Sequence, residues 1–163
     1  MTFPVSHIAM KMTRISQGNL HDINHFMKVW AFARIIGEKE LSDPVPLALV
    51  ETAAIVHDIA CPLCREKYGG ALPDKQELEG MPLTEEFLEE FDLPQDFVDS
   101  VVWLVGHHHS LSCVESVEHR ILLEADYLVN AHESGHSADR IRSAEKTVFR
   151  TATGLELLRN MYL

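Results

Sequence analysis

The chain is short of several things, and each shortage closes a class of function. Three cysteines among 163 residues cannot build a disulfide framework, which places the expected home of the protein in a reducing compartment, the cytoplasm. Basic residues are scarce: 14 Lys and Arg face 25 Asp and Glu, for a formal charge of −11. A phosphate backbone is repelled by that balance, so no extended nucleic acid is expected as a partner. No uninterrupted apolar run reaches the ~20 residues that cross a bilayer, and residues 2–17 lack the apolar stretch of a signal peptide; no membrane association is expected. Strict apolar/polar alternation is missing too, which removes the signature of a sheet. What remains is a composition of 46% apolar and 24% charged residues, enough to close one sizeable core. The expectation is one all-α domain over residues 1–163, with no internal repeat or linker.

Turn residues cut the chain into helix-length segments. Residues 20–36 carry Ile23, Phe26, Met27, Trp30, Ala33 and Ile36 at helical spacing, after Ser16-Gln17-Gly18-Asn19 and before Gly37. Ser42-Asp43-Pro44 opens a second helix whose run over residues 47–59 is Ala-rich and unbroken enough to be buried on most sides, as in a central helix. From Cys61 to Leu83 the density of Pro and Gly predicts a long connection. A short helix over residues 84–90, a longer one over 94–107, another over 117–132 and a last amphipathic one over 138–161 complete the expected bundle. Leu155, Leu157 and Leu158 of that last helix would serve as core or as the face of a homodimer.

Ten histidines are the unusual presence. His57-Asp58 ends the most apolar segment of the chain, directly after Ala53-Ala54-Ile55-Val56, and Asp126 lies inside Ile121-Leu122-Leu123-Glu124-Ala125-Asp126-Tyr127-Leu128-Val129. A buried carboxylate is strongly disfavoured unless something compensates its charge, and a divalent cation is one such partner. His25 shares a helix edge with Val29 and Ala33, at successive i+4 positions, and so faces inward. Three helices each aim an expensive polar group at one core, a pattern that favours a metal over three separate accidents. His21 lies one turn before His25 and is a candidate for orienting a ligand. Cys61-Pro62-Leu63-Cys64 has half the ligands of a structural zinc site and reads as reduced thiols packed beside the centre. His119, His132 and His136 have surface-like surroundings and are assigned no role.

The series His25, His57-Asp58 and Asp126 resembles the HD superfamily of metal-dependent phosphohydrolases, over roughly residues 20–130. The resemblance implies an all-α HD-type fold and carries metal-ligand roles to His25, His57, Asp58 and Asp126, with His57 and Asp58 at the catalytic centre. Binuclear members of the superfamily add two further histidines. His107-His108-His109 stands in place of the later one, with His107 or His108 preferred as the ligand. The earlier one is absent, and Glu79 is the nearest candidate in its place, so the expected cofactor is one or two divalent ions (Fe, Mn, Ni, Co or Zn, with Mg possible). The implied reaction is attack of a metal-activated water on a phosphate ester or anhydride of a nucleotide or other small phosphorylated metabolite. Lys28, Arg65 and Lys67 are the candidates for contacting its phosphate. A non-catalytic metal-stabilised module and a binuclear iron oxygenase are the alternatives.

Overall fold

A computed structural model describes residues 2–114 and 116–163. Among the described residues the chain forms nine α-helices and one 3₁₀ turn, with no strand. They are α1 (Val5–Ile15), α2 (Leu20–Glu40), α3 (Pro44–Val56), α4 (Cys61–Tyr68), α5 (Pro73–Leu88), α6 (Gln95–Val105), the turn Leu111–Cys113, α7 (Val117–Glu133), α8 (Ala138–Thr147) and α9 (Ala152–Tyr162).

The three helices that carry the inward polar residues form the middle of the fold, with α2, α3 and α7 in mutual contact. Each starts for a local reason. Asn19 accepts the backbone N–H of Asp22 to cap α2, Pro44 begins α3 in the first-turn position where its missing N–H costs nothing, and Ser116 caps α7 by accepting from His119 N–H. Inward periodicity then sets the packing: α2 buries His25, Phe26, Val29, Ala33 and Ile36 on one stripe. α3 buries every residue from Val50 to Val56. Residues 44–68 are long and apolar enough to cross a membrane by composition, yet most of that stretch is buried inside the fold, and the chain turns at residues 57–60 between α3 and α4. It is the core helix and its continuation.

The expected long connection from Cys61 to Leu83 is instead α4 and most of α5. Its Pro and Gly residues act as boundaries. Pro62 and Pro73 occupy first turns, and Gly69, at φ +74°, closes α4 in the left-handed conformation that glycine adopts without strain. Gly80 lies inside α5 because α6 comes close there: a Cβ would stand 2.9 Å from a methyl of Val105. The segment 84–90 is the end of α5 and not a separate helix. α1 was not anticipated, although Ile8, Ala9 and Met12 form its buried stripe against α3. His119 is fully buried, not on the surface; its ring donates to His107 O at 2.7 Å and meets Trp103 edge-on.

The expected helix over 138–161 is broken at residues 148–151 into α8 and α9. No Gly or Pro marks the break. It is imposed by the fully buried Glu124 of α7, whose carboxylate accepts the N–H groups of Arg150 (2.6 Å) and Thr151 (3.0 Å) and the Thr151 hydroxyl (2.5 Å). Thr151 in turn accepts Gly154 N–H at 2.9 Å. Four hydrogen bonds thus satisfy these polar groups at the start of α9, in place of the backbone bonds that would have continued α8. Leu158 of α9 is wholly core, while Leu155 and Leu157 are partly covered and pack against it.

A Cβ on Gly154 would lie 2.0 Å from Glu124 Oε2 and 2.7 Å from Thr151 Oγ1. Gly154→Ala is therefore expected to destabilise the fold by ~2 kcal/mol or more, a fall in Tm of about 4–8 °C. Gly70→Ala, where nothing lies within 4 Å of the added carbon, should leave Tm within about 2 °C. Thermal unfolding of the two variants side by side checks the pair.

Candidate metal centre

His25 from α2, His57 at the end of α3, Asp58 in the turn that follows and Asp126 from α7 meet at one point. His25 Nε2 lies 3.2 Å from Asp126 Oδ1, 3.3 Å from Asp58 Oδ2 and 3.3 Å from His57 Nε2. His57 Nε2 lies 3.4 Å from Asp126 Oδ1 and 3.5 Å from Asp58 Oδ2. Donor atoms held ~2.1 Å from a common ion at the tetrahedral angle are themselves ~3.4 Å apart, so these spacings suit a bound transition metal.

The outer nitrogens fix what the inner ones offer. His25 Nδ1 faces the carboxylate of Glu133 at 2.7 Å, and His57 Nδ1 faces the carbonyl of Ala54 at 2.8 Å. Both partners only accept, so each Nδ1 carries a proton, and once Nε2 gives up its own each ring turns a lone pair towards the other. Two nitrogen lone pairs and two carboxylates then converge with no donor among them. Only protons or a cation can occupy such a point. Asn130 Nδ2, one turn beyond Asp126, donates to Asp126 Oδ1 at 2.8 Å and orients that carboxylate.

A second group adjoins the first. His108 Nδ1 donates to Val105 O at 2.6 Å, and its Nε2 lies 3.5 Å from Asp58 Oδ1. That nitrogen is buried with no hydrogen-bond partner. A buried orphan imidazole nitrogen aimed at a carboxylate oxygen is what a ligand looks like without its ion. Asp58, His108 and His109 each offer an atom within 4.8 Å of the others, as do His25, His57 and Asp58. Asp58 belongs to both groups and turns a different oxygen to each, so it can bridge two ions. The donor set fits one or two divalent cations.

Other expected residues fall elsewhere. His107 stacks on Trp103 with ring centroids 4.3 Å apart and its Nδ1 bound to Trp103 O at 2.7 Å; His108, not His107, turns inward, and His109 joins it. Glu79 is not gathered into either group: it accepts from Lys67 at 2.6 Å and from Tyr68 at 2.5 Å. The α5 residue that reaches the centre is Gln76, buried, its Oε1 3.2 Å from His109 Nε2. Glu77 accepts His109 N–H at 2.9 Å and the Ser110 hydroxyl at 3.0 Å, holding the histidine segment in place. His21 is exposed and pairs with Asp22. Lys28 pairs with Glu133, Arg65 with Asp22 and Lys67 with Glu79. Cys61 and Cys64 are buried free thiols, and burial pushes both up in pKa, which keeps them protonated. Glu133, Gln76 and Asn130 were missed from the sequence. Asn130 and Glu133 stand four and seven residues after Asp126, on its face of α7, and that spacing was the available signal.

Charge follows the same logic. Burial disfavours a charged His25, but its hydrogen bond to Asp126 and the charges of Asp58 and Asp126 win and raise it to about 9. Burial disfavours a charged His57 as well, but Asp58 and Asp126 together outweigh it and raise the ring. Burial pushes Asp58 and Asp126 up, and the facing imidazoles more than reverse it, leaving both below the ordinary carboxylate range. His109 is brought down to about 4, chiefly by burial and then by His108. Without an ion the acidic pair holds protons on the rings; a cation has to displace them.

The fold and the site together define a helical protein with a His/Asp centre built to hold divalent cations. The family model of the HD domain matches residues 22–131, and the chain belongs to that family. A predicted HD superfamily hydrolase from an uncultured Thermotogales bacterium, known from its crystal structure, has the same fold: its TM-score to this chain is 0.69 at 24% identity, covering 97% of this chain and 83% of that one. No curated protein matches the chain.

Two measurements follow from the geometry. Elemental mass spectrometry of protein purified without chelator should find the bound metal lost in Asp58→Ala, any second equivalent lost in His108→Ala and the metal content unchanged in Glu79→Ala. Calorimetric titration with Mn²⁺ or Zn²⁺ in buffers of different ionisation enthalpy should detect proton release below pH 9, because the raised His25 is protonated there in the metal-free site. Affinity should then weaken about tenfold per pH unit for each proton displaced as pH falls. A pH-independent affinity between pH 6 and 9 would contradict the assignment of His25.

Proposed function

We propose that the protein is a metal-dependent phosphohydrolase acting on a phosphate ester or anhydride of a nucleotide or other small phosphorylated metabolite in the cytoplasm. The observation that carries the reading is the convergence of lone pairs from His25, His57, Asp58 and Asp126 beside the orphan nitrogen of His108. Family membership and the fold shared with a protein described as a predicted hydrolase support the same class.

When bound, a divalent cation supplies an activated water and neutralises phosphoryl oxygens. The chain supplies everything else. Glu133 and Ala54 O keep the two imidazoles in the tautomer that leaves Nε2 free, and Asn130 keeps Asp126 turned inward. Asp58, the most exposed of the four at 24% of its side chain, is the group that orients the attacking water. Its depressed pKa keeps it an anionic acceptor throughout the neutral range.

The substrate also needs a positive partner in an acidic protein. Lys28, Arg65 and Lys67 are each engaged with a carboxylate. Arg140 pairs with none among the described residues, and it borders a cleft of about 260 Å³ shared with His108, His109, Asp126, Asn130 and His136. Burial, with Arg140 adding to it, holds His136 below its ordinary range, so that ring stays neutral at pH 7. We assign to Arg140 the phosphoryl oxygens turned away from the ions, a fork-shaped donor suited to that geometry.

Phosphate release from a panel of nucleotides and phosphomonoesters by the metal-loaded protein, lost in His57→Ala and Asp58→Ala, tests the activity; release that is absent, or unchanged in both variants, rejects it. On an active substrate, Arg140→Gln should raise KM about tenfold or more and change kcat much less. Arg142→Gln, whose arginine pairs with Asp139 on the exposed side of α8, should leave both constants alone.

A further inference from the structure

The centre opens on two sides of different chemistry. Asp126, His108 and His109 border the cleft that contains Arg140, while Asp58 borders a second cavity, of about 410 Å³. That volume lies within the range of small-molecule sites. Its walls come from α1, α2, α4 and α5: Met12 and Ile15, Phe26, Leu63, and Leu83 with Phe87. α1 precedes the stretch matched by the HD-domain model, so this wall is added to the family core.

Of the charged groups at this cavity, Lys11 and Asp22 have their partners already. Lys11 donates to Phe87 O at 2.5 Å, pairs with Glu90 at 3.3 Å and lies over the ring of Phe87 at 4.4 Å. Asp22 is tied to Arg65. Glu86 adds negative charge to the lining. Further phosphates would meet carboxylates there, and a sugar would find few free partners for its hydroxyls. An uncharged apolar body would displace water from six apolar side chains.

We propose that the cavity between α1, α4 and α5 takes the organic part of the substrate, and that this part is aromatic or otherwise apolar, so that the enzyme prefers an aryl or apolar alkyl phosphomonoester over sugar phosphates and polyphosphates. The inference rests on the phosphohydrolase reading for the phosphate end. The apolar end rests on the cavity alone. The side chains that set the preference are Leu63 and Leu83, both partly buried and outside the metal groups.

Calorimetry with non-hydrolysable probes separates the two ends. Phenylphosphonate should bind metal-loaded protein at least about tenfold more tightly than methylphosphonate, the increment expected from burying a ring. Ribose 5-phosphate should bind no better than methylphosphonate. In Leu63→Gln and, independently, Leu83→Gln, the phenyl-to-methyl ratio should fall towards one, and since the wild-type series needs no variant, a misfolded substitution does not remove the test. Equal binding of the two phosphonates, or tighter binding of ribose 5-phosphate or ATP, overturns the proposal. If benzyl alcohol binds and phenylphosphonate gains nothing over it, the cavity assignment stands and the phosphohydrolase reading fails.

Discussion

Everything in this fold is arranged around a point where only acceptors meet. Two imidazole nitrogens and two carboxylates from three helices converge within 3.2–3.5 Å, an arrangement that repels itself unless positive charge sits at its middle. Burying such a set without a cation is costly, because each group gives up water and, apart from Asn130 at Asp126, the chain offers donors only by protonating the rings. The surrounding structure answers that constraint from outside: Glu133, Ala54 O and Val105 O hold the outer nitrogens, and Asn130 holds the carboxylate. The helices are therefore oriented for the outer bonds as much as for their apolar stripes.

The two open sides of the centre give it direction. Arg140 and neutral His136 stand on the side of Asp126, and apolar walls stand on the side of Asp58. A small anionic ester is a molecule with the same two poles. The overall charge of −11 is no obstacle, since nearly every cation near the centre is answered by a neighbouring carboxylate and the field at the site would be set by bound cations and by Arg140. The net charge acts instead against larger polyanions, which would have to approach the whole surface.

Much of the centre was legible in the sequence because it violates the rules that govern everything around it. His57-Asp58 after four apolar residues and Asp126 inside an apolar helix demand an explanation at once, and His25 follows from the stripe it shares with Val29 and Ala33. The orientation of a ring was not legible. His107, His108 and His109 are adjacent and chemically identical, and only the end of α6 decides which one leans on Trp103 and which faces Asp58. Gln76 could not be told from Glu79 without knowing the axial rotation of α5. Between Cys61 and Leu83, prolines and glycines that read as loop proved to be helix boundaries or, at Gly80 and Pro82, to lie within α5, and the break between α8 and α9 comes from Glu124, a residue far away in sequence. These are tertiary decisions, and local propensity has no access to them.

The order in which the donors occur along the chain has a consequence for synthesis. His25 and Asp126 are 101 residues apart, and Glu133, which fixes the His25 tautomer, is 108 residues from it. At ~5–20 residues per second, a ribosome delivers His25 about 5–20 s, and His57 and Asp58 about 3–14 s, before Asp126 completes the set. The helix bearing Asp126 is itself braced by Glu124 against Thr151, later still. Until α7 has been made, a nascent chain thus holds an incomplete and poorly oriented set of ligands. A cation would be held firmly only once α7 has supplied Asp126 and, in Glu133, the partner that orients the first ligand.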